Sequence, residues 1–139
     1  MQPISIAVCD DEPYMSEYLA EQVSAFFACE SLPTRISLFP EGNSLLSSAE
    51  ALRADVLLLD IQMPLPDGLE TAKELRRRGF SGFIIFVTIL RETVFEAFEV
   101  QAFDYLVKPL APDAFRRTMR RLLSALLIQQ ESRLFVQKG

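Results

Sequence analysis

Five short apolar runs alternate with amphipathic stretches, and this alternation leaves few folds open to the chain. The runs are rich in β-branched residues and predict strands at Ile4–Cys9, Thr34–Phe39, Val56–Asp60, Phe83–Thr88 and Asp104–Val107. The intervening segments have helical periodicity and predict helices at Tyr14–Phe27, Asn43–Ala51, Leu69–Arg78, Thr93–Val100 and Pro112–Gln130. Continuously apolar strands are typical of a parallel sheet that helices cover on both faces. The pattern therefore predicts an α/β fold with a single, doubly wound, five-stranded parallel sheet.

The length and charge of the chain narrow the classes of function. The 139 residues suit one domain, and the net charge of −5 argues against nonspecific binding of nucleic acid. No apolar run approaches the ~20 residues that span a bilayer, and the amino terminus lacks the layout of a secretory signal. We therefore expect a cytoplasmic protein without membrane contact, in which Cys9 and Cys29 are reduced core residues.

The complete lack of histidine excludes the Ser-His and Cys-His nucleophile mechanisms, which leaves carboxylate chemistry. Asp10, Asp11 and Glu12 follow the first predicted strand, and Asp60 ends the third. In a doubly wound sheet these strand ends are neighbours, at the edge where ligands bind. A cluster of carboxylates without histidine or thiolate suits a hard cation, so we predict a Mg²⁺ site. The alternative is that the acidic run caps the following helix.

Two further strand ends contribute polar groups to the same edge. Thr88 ends the fourth strand and Lys108 follows the fifth. A lysine beside a metal and a carboxylate nucleophile is what phosphoryl transfer to Asp60 requires, because cations neutralise charge on the phosphoryl oxygens. Taken singly, Thr88 could be an ordinary strand residue and Lys108 a solvated charge.

Four segments resemble the response-regulator receiver family of two-component signalling: CDDEP at Cys9–Pro13, LLLDIQMPLPDG at Leu57–Gly68, VT at Val87-Thr88 and FDYLVKPL at Phe103–Leu110. The resemblance covers about residues 4–130 and implies a flavodoxin-like sheet with strand order 2-1-3-4-5. It implies that the domain is not an enzyme in the ordinary sense. By the same resemblance, the domain would accept a phosphoryl group from a sensor histidine kinase and could catalyse its own phosphorylation and dephosphorylation.

The resemblance also assigns roles to individual residues. Asp60 would be the phosphoacceptor, with Asp11 and Asp60 as direct Mg²⁺ ligands and Asp10 acting through bound water. Gln62 would contribute its backbone carbonyl. The hydroxyl and lysine of the family fall on Thr88 and Lys108, with a cis peptide bond between Lys108 and Pro109.

Signal output would pass through Thr88 and Tyr105, the aromatic residue of the fifth strand. The other interpretation of Tyr105 is a partly buried aromatic residue with its hydroxyl in water. Phe95 and Phe98 are expected to pack in the core, although this helix could instead present an apolar face to a partner or a second copy. Ile89 departs from the small residue usual after the hydroxyl position, and we expect it to screen an acyl phosphate from water.

The segment Ala97–Leu110 and the tail Arg133–Gly139 resemble regulators in which a receiver precedes a LytTR-type DNA-binding domain. We therefore expect a receiver domain over residues 1–130. Residues 131–139 would be a linker or the first strand of an effector domain absent from this chain. Four arginines on the last helix are interpreted as a solvated or dimer-forming face: Arg116, Arg117, Arg120 and Arg121. DNA contact is expected only through the effector domain.

Three other functions are alternatives to this interpretation. A haloacid-dehalogenase phosphatase would need an Asp-x-Asp motif, but Gln62 stands at its second position. In a flavodoxin-type FMN binder, the acidic run after the first strand would repel the phosphate. A receiver that acts without phosphate as an interaction module remains the alternative, against which the intact acidic set argues.

Overall fold

The computed structural model describes residues 2–138, and the side chains of residues 2–132. Its strands are β1 (Ile4–Cys9), β2 (Thr34–Phe39), β3 (Val56–Leu59), β4 (Phe83–Thr88) and β5 (Asp104–Val107). Its helices are α1 (Pro13–Cys29), α2 (Gly42–Leu46), α3 (Ala49–Leu52), α4 (Gly68–Arg77), α5 (Val94–Glu99) and α6 (Pro112–Lys138). Residues 2–109 form one compact unit and residues 110–138 a second, which consists of α6.

The five strands are parallel and lie in the order β2-β1-β3-β4-β5, which confirms the predicted fold class. Cys9 pairs with Leu59 at the ends of β1 and β3, and Thr88 pairs with Val107 at the ends of β4 and β5. The polar residues that follow these strands therefore emerge at one edge of the sheet.

The core of the first unit lies on the faces of the sheet. Alternate strand residues such as Ala7, Leu57 and Phe86 form one cluster with apolar residues of α2–α5. Residues of the opposite parity, such as Val8 and Leu58, are buried as well. Because both faces of the strands are covered, every residue of β3 is buried.

Two local predictions are wrong. The helix expected at Asn43–Ala51 is divided into α2 and α3, because the Ser48 side chain accepts the N–H of Ala51 and caps a new helix. The strand-like tail is instead helical through Lys138, and Gly139 lies outside the described residues. A strand needs a partner, whereas each residue added to a helix gains its own backbone hydrogen bond. The domain boundary near residue 130 remains a prediction.

Cys9 is buried as expected, but Cys29 is exposed because it lies at the end of α1, on the outward side. Within residues 2–138, no helix is both long and apolar enough to cross a membrane.

Candidate functional site

Asp10 and Asp60 lie side by side at the ends of β1 and β3. The N–H of Asp60 donates to the Cys9 carbonyl at 3.0 Å, which continues the pairing of the two strands by one residue. Both aspartates are nearly inaccessible, at 1 % and 5 % exposure. Two neighbouring buried carboxylates repel one another and need a positive charge nearby.

Lys108 supplies one positive charge. Its backbone N–H donates to the Thr88 carbonyl at 2.8 Å, which brings the residue to the same edge of the sheet. The Lys108 Nζ donates to Asp10 Oδ2 at 2.8 Å and to Asp60 Oδ2 at 3.0 Å. Its side chain is 8 % exposed, so the solvated interpretation of Lys108 is wrong. The peptide bond to Pro109 is cis, as predicted.

Backbone donors orient the other carboxylate oxygens. Asp10 Oδ1 accepts the N–H of Glu12 at 3.0 Å, and Asp60 Oδ1 accepts the N–H of Gln62 at 3.1 Å. Glu12 is at the N-cap position of α1, but its side chain makes no capping bond. Capping therefore does not account for the acidic run.

The pKa shifts indicate that this site lacks positive charge. Burial raises the pKa of Asp10 more than the hydrogen bond from Lys108 lowers it, and the charge of Asp60 raises it further. Burial disfavours the charged form of Lys108, but its hydrogen bonds to Asp10 and Asp60 outweigh that effect and raise its pKa. The lysine therefore stays an ammonium that serves two carboxylates.

A divalent cation fits the remaining charge. Carboxylate oxygens of Asp10, Asp11 and Asp60 lie within 4.8 Å of one another. Three carboxylates and the Lys108 ammonium sum formally to −2, which one Mg²⁺ would neutralise. The three aspartates would bind a metal through oxygen atoms, the ligands that Mg²⁺ prefers. Asp11 is exposed, so a cation could reach the site from solvent.

The loop after Asp60 has a structural role of its own. The Asp67 side chain accepts the N–H of Glu70 at 2.9 Å and caps α4. Gly68 donates its N–H to the Ile61 carbonyl at 2.9 Å, so the start of α4 is held directly against the residues that follow β3.

Thr88 is fully buried at the end of β4, where its carbonyl accepts the backbone N–H of Lys108. Its hydroxyl accepts the N–H of Leu90 at 3.4 Å. A hydroxyl that accepts one hydrogen bond still has its own hydrogen to donate, so Thr88 can bind an anionic oxygen. The neighbouring Ile89 is 57 % exposed at the rim.

Tyr105 is partly buried, and its hydroxyl does not point into water. The hydroxyl donates to the Leu90 carbonyl and is hydrogen-bonded to the Thr93 hydroxyl. The ring packs against Phe86, with the centroids 6.1 Å apart. Burial raises the pKa of Tyr105, which keeps the phenol protonated and able to donate. The alternative interpretation, in which the Tyr105 hydroxyl lies in water, is therefore wrong in that respect, and the switch role remains a proposal.

Two residues near the site escaped the sequence interpretation. The buried Ser16 donates its hydroxyl to the Asp10 carbonyl at 3.2 Å, and Thr93 contacts Tyr105 as described above. Ser16 could have been noticed as a hydroxyl on the apolar face of α1. For Thr93 no local pattern exists, because its partner is twelve residues away.

The expected burial of Phe95 and Phe98 is wrong. These side chains are 77 % and 71 % exposed, whereas Ala97 and Val100 are buried. Since one face of a short helix packs inward, burying the smaller pair turns both phenylalanines outward. The first unit thus presents two aromatic rings on α5, between glutamates.

The chain resembles known proteins over most of its length. The model of the response regulator receiver domain matches residues 6–120. The positive alginate biosynthesis regulatory protein of Pseudomonas aeruginosa is 34% identical over 118 residues, covering 85% of this chain and 46% of that protein. The sensory transduction protein LytT of Oceanobacillus iheyensis is 33% identical over 128 residues, with coverages of 88% and 49%. The chain thus spans about half the length of these curated relatives.

A solved structure supports the same assignment. The response regulator TrrA of Thermotoga maritima, in complex with Mg²⁺ and beryllofluoride, superposes with a TM-score of 0.70 and 28% identity. The match covers 85% of this chain and 97% of that chain. Sequence, strand order and site geometry agree, and the chain belongs to the response regulator receiver domain family.

Proposed function

We propose that Asp60 accepts a phosphoryl group from a phosphohistidine of a sensor histidine kinase, in a reaction that depends on Mg²⁺. The observation that carries the proposal is the contact of the Lys108 Nζ with Asp10 Oδ2 and Asp60 Oδ2, at 2.8 and 3.0 Å. Asp10, Asp60 and Lys108 directly follow β1, β3 and β5. Their convergence places a cation beside a nucleophilic carboxylate, which is the arrangement that phosphoryl transfer requires. The complex of TrrA with Mg²⁺ and a beryllofluoride supports the same reading by analogy.

The chemistry needs no base, because the nucleophile is already a carboxylate. An oxygen of Asp60 forms a bond to phosphorus while the bond from phosphorus to the histidine nitrogen breaks, and the nitrogen keeps the electron pair. Lys108 and the Thr88 hydroxyl can donate to the phosphoryl oxygens. Asp10, Asp11 and Asp60, with the Gln62 carbonyl, would hold Mg²⁺, which supplies positive charge beside those oxygens when bound.

Phosphorylation of Asp60 would then change the activity of another part of the protein. The two curated relatives are regulatory or signal-transduction proteins about twice the length of this chain. We propose that this receiver controls transcription through an effector domain of LytTR type, which would make any DNA contact. The exposed Phe95 and Phe98 support a homodimer as the link between phosphorylation and the effector domain, since aromatic rings on a helix favour contact with another protein surface.

The direct experiment is an intact-mass measurement after incubation with Mg²⁺ and acetyl phosphate. We expect the wild-type chain to gain the mass of one phosphoryl group, and chelation of Mg²⁺ with EDTA to prevent the gain. Asp60→Asn should remain unmodified. Asp67→Asn is the matched control, because Asp67 caps α4 and should leave phosphorylation intact.

An unmodified wild-type chain would favour the alternative of a phosphate-independent interaction module. A mass gain that persists in Asp60→Asn would place the phosphoryl group on another residue and overturn the assignment.

A further inference from the structure

A path of hydrogen bonds leads from the buried site to the start of α5. The Leu90 N–H donates to the Thr88 hydroxyl, and the Leu90 carbonyl accepts the hydroxyl of Tyr105. The Tyr105 hydroxyl in turn bonds to that of Thr93. Leu90 lies between β4 and α5, and its backbone is thus hydrogen-bonded to Thr88 through the N–H and to Tyr105 through the carbonyl.

The two ends of this path differ in how they are held. Tyr105 lies in β5, where it pairs with Phe86 of β4, so its backbone position is set by the sheet. Thr93 lies outside the sheet, at the N-cap position of α5. Its carbonyl accepts the N–H of Ala97 at 3.2 Å, which makes Thr93 part of the first turn of that helix. A displacement of Thr93 would therefore displace the first turn of α5.

Thr93 does not use its side chain as a threonine at this position commonly does. An N-cap threonine usually accepts an N–H from the first turn, but this side chain makes no capping bond. Its hydroxyl is engaged with Tyr105 instead. The helix lacks a side-chain cap, and the hydroxyl holds the phenol against the Leu90 carbonyl.

We propose that Thr93 is a positioning residue of the switch: its hydroxyl holds Tyr105 inward and thereby couples the state of the Asp60 site to the first turn of α5. This inference rests on the proposed function and adds a residue to it. The first turn carries the exposed Phe95, so a change at Thr88 would reach an exposed aromatic side chain through two backbone groups and two hydroxyls. The competing explanation is that the Thr93 hydroxyl only stabilises the loop.

A double-mutant cycle separates these explanations. The probe is beryllofluoride with excess Mg²⁺, and the readout is its dissociation constant measured by calorimetry. Removing the hydroxyl with Thr93→Val should release Tyr105 from the position in which its hydroxyl donates to the Leu90 carbonyl, so that part of the binding free energy must restore that position. The expected loss of affinity is roughly fivefold, the net value of one neutral hydrogen bond. Thr93→Ser keeps the hydroxyl and should bind close to wild type.

In a Tyr105→Phe background, Thr93→Val should cause no further loss, because the hydroxyl has lost its partner. Thr34→Val, which removes a threonine hydroxyl from β2, serves as the control and should leave the affinity unchanged. The inference is overturned if Thr93→Val lowers only the melting temperature, or if it weakens binding equally in both backgrounds. If the wild-type chain binds no beryllofluoride, the proposed function fails and the coupling fails with it. If the wild type binds but the cycle shows no coupling, only the role of Thr93 fails.

Discussion

Replacing Gly68 with alanine should damage the site without touching any of its polar side chains. A Cβ at this position would lie 2.1 Å from the Asp60 carbonyl oxygen and 2.6 Å from the Ile61 Cα. Both are backbone atoms, so no side-chain rotation can relieve the overlap. A Cβ essentially never lies closer than 3.0 Å to such an atom, so the Asp60 carbonyl must move by at least 3.0 − 2.1 = 0.9 Å relative to the start of α4.

The cost can be estimated for both stability and chemistry. Overpacking of this kind typically destabilises a protein by about 1–3 kcal/mol. A domain of this size loses roughly 4 °C in melting temperature per kcal/mol. The reaction should suffer more, because a displacement of about 1 Å at a reacting group can slow a reaction ~100-fold. We therefore expect a melting temperature lowered by roughly 4–12 °C and a phosphorylation rate lowered by about two orders of magnitude.

The assay is the initial rate of phosphoryl gain from acetyl phosphate by intact mass, beside a calorimetric melting temperature. Gly79→Ala is the matched control. Gly79 has a φ of +96°, and a Cβ there would meet no atom within 4 Å. An alanine in that conformation costs about 1–2 kcal/mol of backbone strain but does not displace Asp60. If Gly68→Ala were phosphorylated at the wild-type rate, or if both variants slowed equally, the steric argument would fail.

Three further predictions concern single residues. In the folded chain iodoacetamide should modify the exposed Cys29 alone, since burial raises the pKa of Cys9 to about 12; modification of both would contradict this. Glu74→Gln should lower the melting temperature at pH 7, because hydrogen bonds from Arg77 and Arg78 hold the Glu74 pKa at about 2. The deficit should shrink as the pH falls toward that value, and a pH-independent deficit would refute it. Ile89→Ala should speed loss of the acyl phosphate, followed by mass; an unchanged rate would exclude screening by Ile89.

The sequence predicts the sheet well because each strand has a recognisable local pattern. Each strand is a short apolar run, and four of the five have the predicted bounds, while β3 ends at Leu59, one residue before the predicted Asp60. Asp60 lies one residue past the end of β3, although its N–H still donates to the Cys9 carbonyl of the neighbouring strand. The proximity of Asp10 and Asp60 follows from the strand order, which places the ends of β1 and β3 side by side, and Lys108 reaches them from the end of β5 through its long side chain.

Side-chain exposure on α5 could not be predicted in the same way. Phe95 and Ala97 are both apolar residues of an amphipathic segment, and hydrophobicity alone favours burial of the larger one. The short helix can bury only one stripe, and here that stripe is Ala97 and Val100, which belong to the core cluster.

The hydrogen bonds of the Tyr105 hydroxyl also could not be predicted from the sequence. They join residues twelve and fifteen positions apart, whose meeting depends on the path of the loop after β4. No periodicity in the sequence encodes that path.

The proposed chemistry requires that Asp10, Asp11 and Asp60 hold one divalent cation beside a nucleophilic carboxylate that Lys108 contacts. A crystal structure of the chain with Mg²⁺ and beryllofluoride tests it most directly. We predict the beryllium bonded to an oxygen of Asp60, the Mg²⁺ coordinated by Asp11 and Asp60, and the Lys108 Nζ within hydrogen-bond distance of a fluoride. An Asp60 carboxylate without beryllofluoride, or a Mg²⁺ bound away from these aspartates, would contradict the account.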